Sequence, residues 1–239
     1  MWMTRGRAPN KQRKILKMKL FIDTANLEEI RSALERGVVQ GVTTNPSLLS
    51  KEPQADFYSH IQKIADLCTE LTDGVPLSVE VFAEKPDEMI AQAQEIMETI
   101  EYSNLNIKVP IGYDELRVIS ELRDLDIPVN CTCCFTATQL QLAALAGARY
   151  VSLFYNRALD SQIDALEILQ RTREFIDFNE LDCEIIAGSI RNAYDLEDCW
   201  AAGCDIVTAG LPVIKKSVSH LKTDESVNGF LKDFASWIK

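Results

Sequence analysis

Apolar positions along the chain alternate between two rhythms. Short apolar runs, such as "KLFID" (19–23) and "YVSLF" (150–154), are followed by longer segments whose apolar residues recur every three or four positions. The first spacing belongs to a buried strand and the second to an amphipathic helix. From Met18 onward the strands are read at 19–23, "GVTT" (41–44), "LSVEV" (77–81), a run of Leu105, Ile107 and Val109, "IPVNCTC" (127–133), 150–154, "CEIIAGS" (183–189) and "CDIVTAG" (204–210). The first helices carry Leu27, Ile30, Ala33 and Leu34, then Phe57, Ile61, Ile64 and Leu67. Further helices are expected from Pro86 to Ile100, through Leu116, Ile119 and Leu122, and over "TQLQLAALAGA". After Phe154 one long helix should end near Phe178, and "NAYDLEDCWAAG" forms the next. A short helix at Val213–Val218 and a C-terminal helix from about Glu225 complete the pattern.

Strands alternating with helices predict parallel strands joined by helical crossovers. Eight such units predict an α/β fold, a closed (β/α)8 TIM barrel over 18–239, as one domain with a C-terminal helix. An open doubly wound sheet would carry a glycine-rich turn after its first strand, and "IDTANLEE" has no glycine.

Side chains two apart on a strand share a face. Ser78 with Glu80, Asn106 with Lys108, and Asn130 with Thr132 therefore point one way, while Val79, Ile107, Val109 and Val129 point the other. Three neighbouring strands each send a polar pair inward, with Glu80, Lys108 and Thr132 nearest the carboxyl ends where such barrels keep their chemistry. Asp23 ends the first strand, and Thr43, Thr44 and Asn45 end the second.

Lys108 is the informative residue. Its bland explanation is an ion pair with Glu80. An acid, a hydroxyl and two amides converging on it argue for more. Desolvation among apolar walls favours the neutral amine, the form that attacks a carbonyl. Lys108 is thus expected to be a Schiff-base nucleophile. Across the barrel, Arg157 follows the sixth strand, and Ser189 and Arg191 follow the seventh, where Arg191 or Asn192 opens a helix. Arginines beside a helix N-terminus after the late strands are a phosphate-binding arrangement.

Composition narrows the partners. The net charge of −11 opposes broad nucleic-acid binding, which needs basic surface, but leaves small anions open. No apolar run reaches the roughly 20 residues of a membrane span. Seven cysteines, an odd number lying partly in apolar runs, suggest reduced thiols and a cytoplasmic location. Cys131, Cys133 and Cys134 do not make a zinc site, since only His60 and His220 are available and no second cysteine pair has finger spacing. Residues 1–17 carry six basic residues and no acid, and are expected to be a disordered extension. It is read as an added segment or a start upstream of Met18, with an organelle-targeting arm as the alternative.

Together "FIDTAN", "GVTTNPSLL", "VEV", "IKVP", "NCT", "YVSLF.NR" and "AGSIRN" resemble the short-chain transaldolases and the related fructose-6-phosphate aldolases. The likeness runs from about Lys19 to the C-terminus. It implies that Lys108 forms the Schiff base, Asp23 acts as general acid and base, and Glu80 and Thr132 hold the catalytic water. Thr44, Asn45, Asn106, Ser152 and Phe154 would line the sugar pocket, and Arg157, Ser189 and Arg191 would bind the phosphate. The resemblance implies no metal and no cofactor, sugar-phosphate substrates, a place in the pentose phosphate pathway, and pentamers or decamers of one chain. In the aldolase branch glutamine stands at Glu80 and tyrosine at Phe154, so the resemblance favours the transaldolase branch. The alternatives are an aldolase releasing free dihydroxyacetone and a non-catalytic sugar-phosphate-binding barrel.

Overall fold

The computed structural model describes residues 18–238; the basic extension lies outside the described residues. Eight parallel strands close into a barrel in chain order, with β8 paired to β1. They are β1 (Lys19–Asp23), β2 (Val39–Thr43), β3 (Leu77–Glu80), β4 (Leu105–Pro110), β5 (Val129–Cys134), β6 (Tyr150–Phe154), β7 (Glu184–Ile190) and β8 (Ile206–Ala209). The TIM-barrel reading holds strand for strand.

The crossovers run through α1 (Leu27–Leu34), α2 (Pro46–Leu49), α3 (Phe57–Leu71), α4 (Pro86–Thr99), α5 (Glu115–Asp124) and α6 (Ala137–Ala146). They continue through α7 (Tyr155–Asp160), α8 (Ala165–Phe178), α9 (Ala193–Ala201), α10 (Leu211–Ser217) and α11 (Leu221–Trp237). Their starts are set by short polar side chains that accept from the orphan amides of the first turn. Asn26, Asn45, Asp56, Thr136, Asp164 and Asn192 each do this for α1, α2, α3, α6, α8 and α9.

Three sequence expectations are corrected. The single long helix after β6 is two, α7 and α8, because the chain turns at Gln162 with φ 60° and restarts on the Asp164 cap. The C-terminal helix begins at Leu221 rather than near Glu225, since the His220 ring accepts from the Lys222 amide at 3.1 Å and caps an earlier start. Helix α2 was not expected at all; four residues are too few to show a period.

Two cores result. Val79, Ile107, Val109 and Val129 turn outward into the layer shared with the helices, as alternation predicts. Inside the barrel, Phe21, Tyr150, Ile186 and Ile206 form a separate apolar plug from β1, β6, β7 and β8. Gly41 makes room for it: a Cβ there would meet the Phe21 ring at 2.5 Å. The opposite sector of the interior, on β2 to β5, holds Thr43, Ser78, Asn106, Lys108, Asn130 and Thr132, all buried. On the surface, α11 buries no residue and leaves Phe230, Leu231, Phe234 and Trp237 exposed. Among the described residues no helix is long and apolar enough to cross a membrane.

Candidate active site

Lys108 projects into the barrel and is 5% exposed. A lysine so enclosed needs partners for its ammonium group. Its Nζ donates to Glu80 Oε2 at 2.9 Å and to the backbone carbonyl of Thr44 at 2.7 Å. Sheet register explains the first contact, because Glu80 and Lys108 are Cα partners across β3 and β4. The Thr44 hydroxyl points elsewhere, donating to the Ser78 carbonyl at 3.0 Å, so Thr44 meets Lys108 through its backbone.

The ion pair does not account for what else surrounds the lysine. Lys108 lines a small cavity of about 30 Å³ together with Asp23, Asn45, Thr132, Ser152, Phe154 and Ser189. Seven predicted site residues are thus brought to one place. Glu80 adjoins it through Lys108 and also lines a larger cavity of about 620 Å³ bounded by Leu49, Phe57, His60 and Phe82.

Asp23 is the second ionisable group of the small cavity. Burial pushes its carboxyl above the ordinary range; the Lys108 charge and a hydrogen bond from Thr43 oppose this, while the Glu80 charge adds to it. A half-buried carboxyl and a buried amine in one cavity form the arrangement expected of a proton-transfer site. The polar side chains of β3, β5 and β6 are satisfied among themselves. Ser152 Oγ donates to Asn130 Oδ1 at 2.6 Å, and Asn130 Nδ2 donates to Ser78 Oγ at 3.2 Å. Thr132 lies opposite Pro110, two residues beyond the Lys108–Asn130 pair, so it stands nearer the strand ends than Lys108.

Besides Glu80 and Thr44, which reach the cavity only through Lys108, three predicted residues stand outside it. Asn106 is fully enclosed, level with Ser78. Its Nδ2 donates to the Asn104 carbonyl at 3.1 Å, and its Oδ1 has no partner among the described residues. Arg157 is exposed on α7, with its guanidinium 4.7 Å from the centre of the Phe154 ring, a cation–π contact. Arg191 is exposed and makes a two-pronged pair with Asp160, at 2.9 and 2.5 Å.

The helix N-terminus beside Arg191 is already capped by the protein's own side chains. The buried carboxylate of Asp195 accepts from the Arg191 and Asn192 amides at 2.9 and 3.1 Å, and Asn192 Oδ1 accepts from the Tyr194 and Asp195 amides. This capping box occupies the N-terminus of α9 with the protein's own groups. The Asn192 side chain also donates to Asp195, at 2.8 Å, and Asn156 of α7 adds a fourth donor at 2.6 Å, tying α7 to α9.

The residues that sequence reasoning missed are Thr208, which also lines the small cavity, and Asp160, Asn156 and Asp195. Only Asp195 left a signal, the cap-forming spacing of "NAYD". Two irregular positions also shape the mouth. Cys133 and Ser189 hold φ near 62°, in the left-handed region, and each lies where its strand's register shifts. Such strain in residues other than glycine collects at functional sites. Cys133 is half-buried, and burial followed by the Glu80 charge pushes its thiol up.

The sequence profile of the transaldolase/fructose-6-phosphate aldolase family matches residues 20–238. The chain belongs to that family. A "probable transaldolase" of Brachyspira hyodysenteriae is 40% identical over 219 residues, spanning 91% of this chain and 97% of that protein. A second, from Alkaliphilus metalliredigens, is 39% identical over 222 residues, spanning 93% of this chain and all of the relative. Among solved structures, a thiamine phosphate pyrophosphorylase from Pyrococcus furiosus superposes with a TM-score of 0.56 over 81% of this chain and 85% of its own, at 15% identity. That likeness is one of fold alone.

Proposed function

We propose that this protein is a Schiff-base transaldolase moving a dihydroxyacetone unit from a ketose phosphate to an aldose phosphate. The donor would be sedoheptulose 7-phosphate or fructose 6-phosphate, and the acceptor glyceraldehyde 3-phosphate or erythrose 4-phosphate, as in the pentose phosphate pathway. One observation carries the reading: a lysine 5% exposed shares a cavity with a carboxyl that burial holds protonated more tightly than usual.

In this reading Lys108 passes a proton to Glu80 along their 2.9 Å contact and attacks the ketone. Water leaves as the imine forms, with Thr132 and Glu80 holding it. Asp23 takes the proton of the fourth-carbon hydroxyl, the bond between the third and fourth carbons breaks, and the shortened aldose phosphate departs. The electron pair rests in an enamine on Lys108 until an acceptor aldehyde captures it and Asp23 returns the proton. Positioned proton transfer of this kind typically contributes ~10²–10⁴-fold. Asn45 and Ser152 line the cavity where sugar hydroxyls would lie, and Arg157, Ser189 and Arg191 would hold the phosphate. The exposed apolar face of α11 supports assembly with further copies of the chain.

Borohydride added with fructose 6-phosphate should leave a reduced three-carbon adduct on the peptide containing Lys108. An unmodified Lys108, or an active Lys108→Ala protein, would sink the mechanism.

A further inference from the structure

Of the two arginines assigned above to the phosphate, only Arg157 rests against a wall of the cavity, stacked on Phe154. Arg191 is engaged elsewhere. Its guanidinium meets the Asp160 carboxylate edge to edge, two nitrogens on two oxygens, across the loops that follow β6 and β7. The backbone on both sides of this pair is fixed. The Arg191 amide is held by buried Asp195, and Asn156, four residues before Asp160, bonds the same carboxylate. The side chains are not fixed: Arg191 and Asp160 are 52% and 55% exposed. Water at both side chains screens the pair, so it is weaker than a buried one even with two contacts, and its arginine can change partners.

Resting on the phosphate-binding reading above, we propose that Asp160 is a specificity-determining residue that holds Arg191 until a phosphate monoester displaces it. The carboxylate and the phosphate present the same planar pair of acceptors to the guanidinium, but the phosphate carries close to two negative charges near neutral pH against one for the carboxylate. Exchange therefore favours a dianion. A ligand with one negative charge gains little over Asp160 and leaves Arg191 where it is. Asp160 thus biases the site toward phosphorylated sugars over sugars bearing a single carboxylate, although it touches no substrate atom.

The test is a double-mutant cycle on the intact protein, read as KM for fructose 6-phosphate and as inhibition by inorganic phosphate. Asp160→Asn frees Arg191 and should lower both constants about two- to fivefold, the range expected for losing an exposed competing pair. A purely structural role for Asp160 in α7 would raise them instead. In an Arg191→Ala background the same substitution should change neither constant. If it lowers them equally there, Asp160 acts through its field alone and the latch is overturned. An Asp160→Asn protein with unchanged or raised constants overturns it too. Arg191→Ala by itself separates the two levels. If it weakens phosphorylated and unphosphorylated donors alike, the phosphate site is wrong and the latch falls with it. If it weakens phosphorylated donors alone while Asp160→Asn is silent, only the latch fails.

Discussion

The hydroxyl of Thr43 donates to Oδ1 of Asp23 across 2.7 Å. Thr43 Oγ1 also lies 2.6 Å from Thr208 Oγ1. One hydroxyl has one proton, so when Thr43 donates to Asp23, Thr208 must donate to Thr43. The three residues form a directed chain that ends on the proposed acid–base group and favours its ionised form.

Removing that donor should therefore be visible in the pH dependence. Burial already holds the Asp23 carboxyl above its ordinary value, and the Thr43 bond works in the opposite direction. Thr43→Val deletes the bond, so the carboxyl rises further and stays protonated at pH values where the wild type has lost its proton. The acidic limb of kcat/KM should move to higher pH, with most activity recovered on the alkaline side. A full pH–rate profile of both proteins checks this. An unmoved limb would assign it to another group.

Asp195 should matter for stability before it matters for turnover. Its carboxylate is buried and takes four donors from Asn156, Arg191 and Asn192. Asp195→Ala leaves those donors without their acceptor, at a cost of about 2 kcal/mol or more. For a chain this size the fall in Tm should be roughly 4–8 °C, at about 2–4 °C per kcal/mol. Thermal melts measure the first effect, and a rise in KM confined to phosphorylated donors measures the second. A melt identical to wild type would show that the network carries no stability.

Transfer and release should be separable at Phe154. Its ring lines the cavity, lies edge-on to Phe135 at 5.8 Å, and carries Arg157 above it. This wall offers no hydroxyl to protonate the enamine, so the intermediate should survive until an aldehyde arrives. Phe154→Tyr, alone or with Glu80→Gln, should raise formation of free dihydroxyacetone while borohydride trapping persists. The assay scores sedoheptulose 7-phosphate against free dihydroxyacetone from fructose 6-phosphate, with and without erythrose 4-phosphate. Wild type releasing as fast as it transfers would turn the assignment to the aldolase reading.

What the sequence made legible follows from the range of the interactions involved. Strand alternation is local, so the inward course of Glu80, Lys108 and Thr132 could be read from spacing two. The barrel itself could be read from the repeated change of rhythm. Asp160 drew no reading from the sequence because its partner Arg191 is 31 positions away. The Thr43–Thr208 contact spans 165 positions and exists only because the barrel closes. The break between α7 and α8 was hidden for a different reason: Gln162 takes a positive φ without the glycine that would announce it.

The interior is divided by angle around the barrel axis. Phe21, Tyr150 and Ile206 fill one side and do not line the small cavity, whereas Ile186 belongs to the plug and to the small cavity at once. An engineer seeking a heat-resistant variant could start from the first three, within the tight fit that Gly41 leaves around Phe21. The fourth is where endurance and substrate choice are mechanically joined, so a change of shape at Ile186 moves both together.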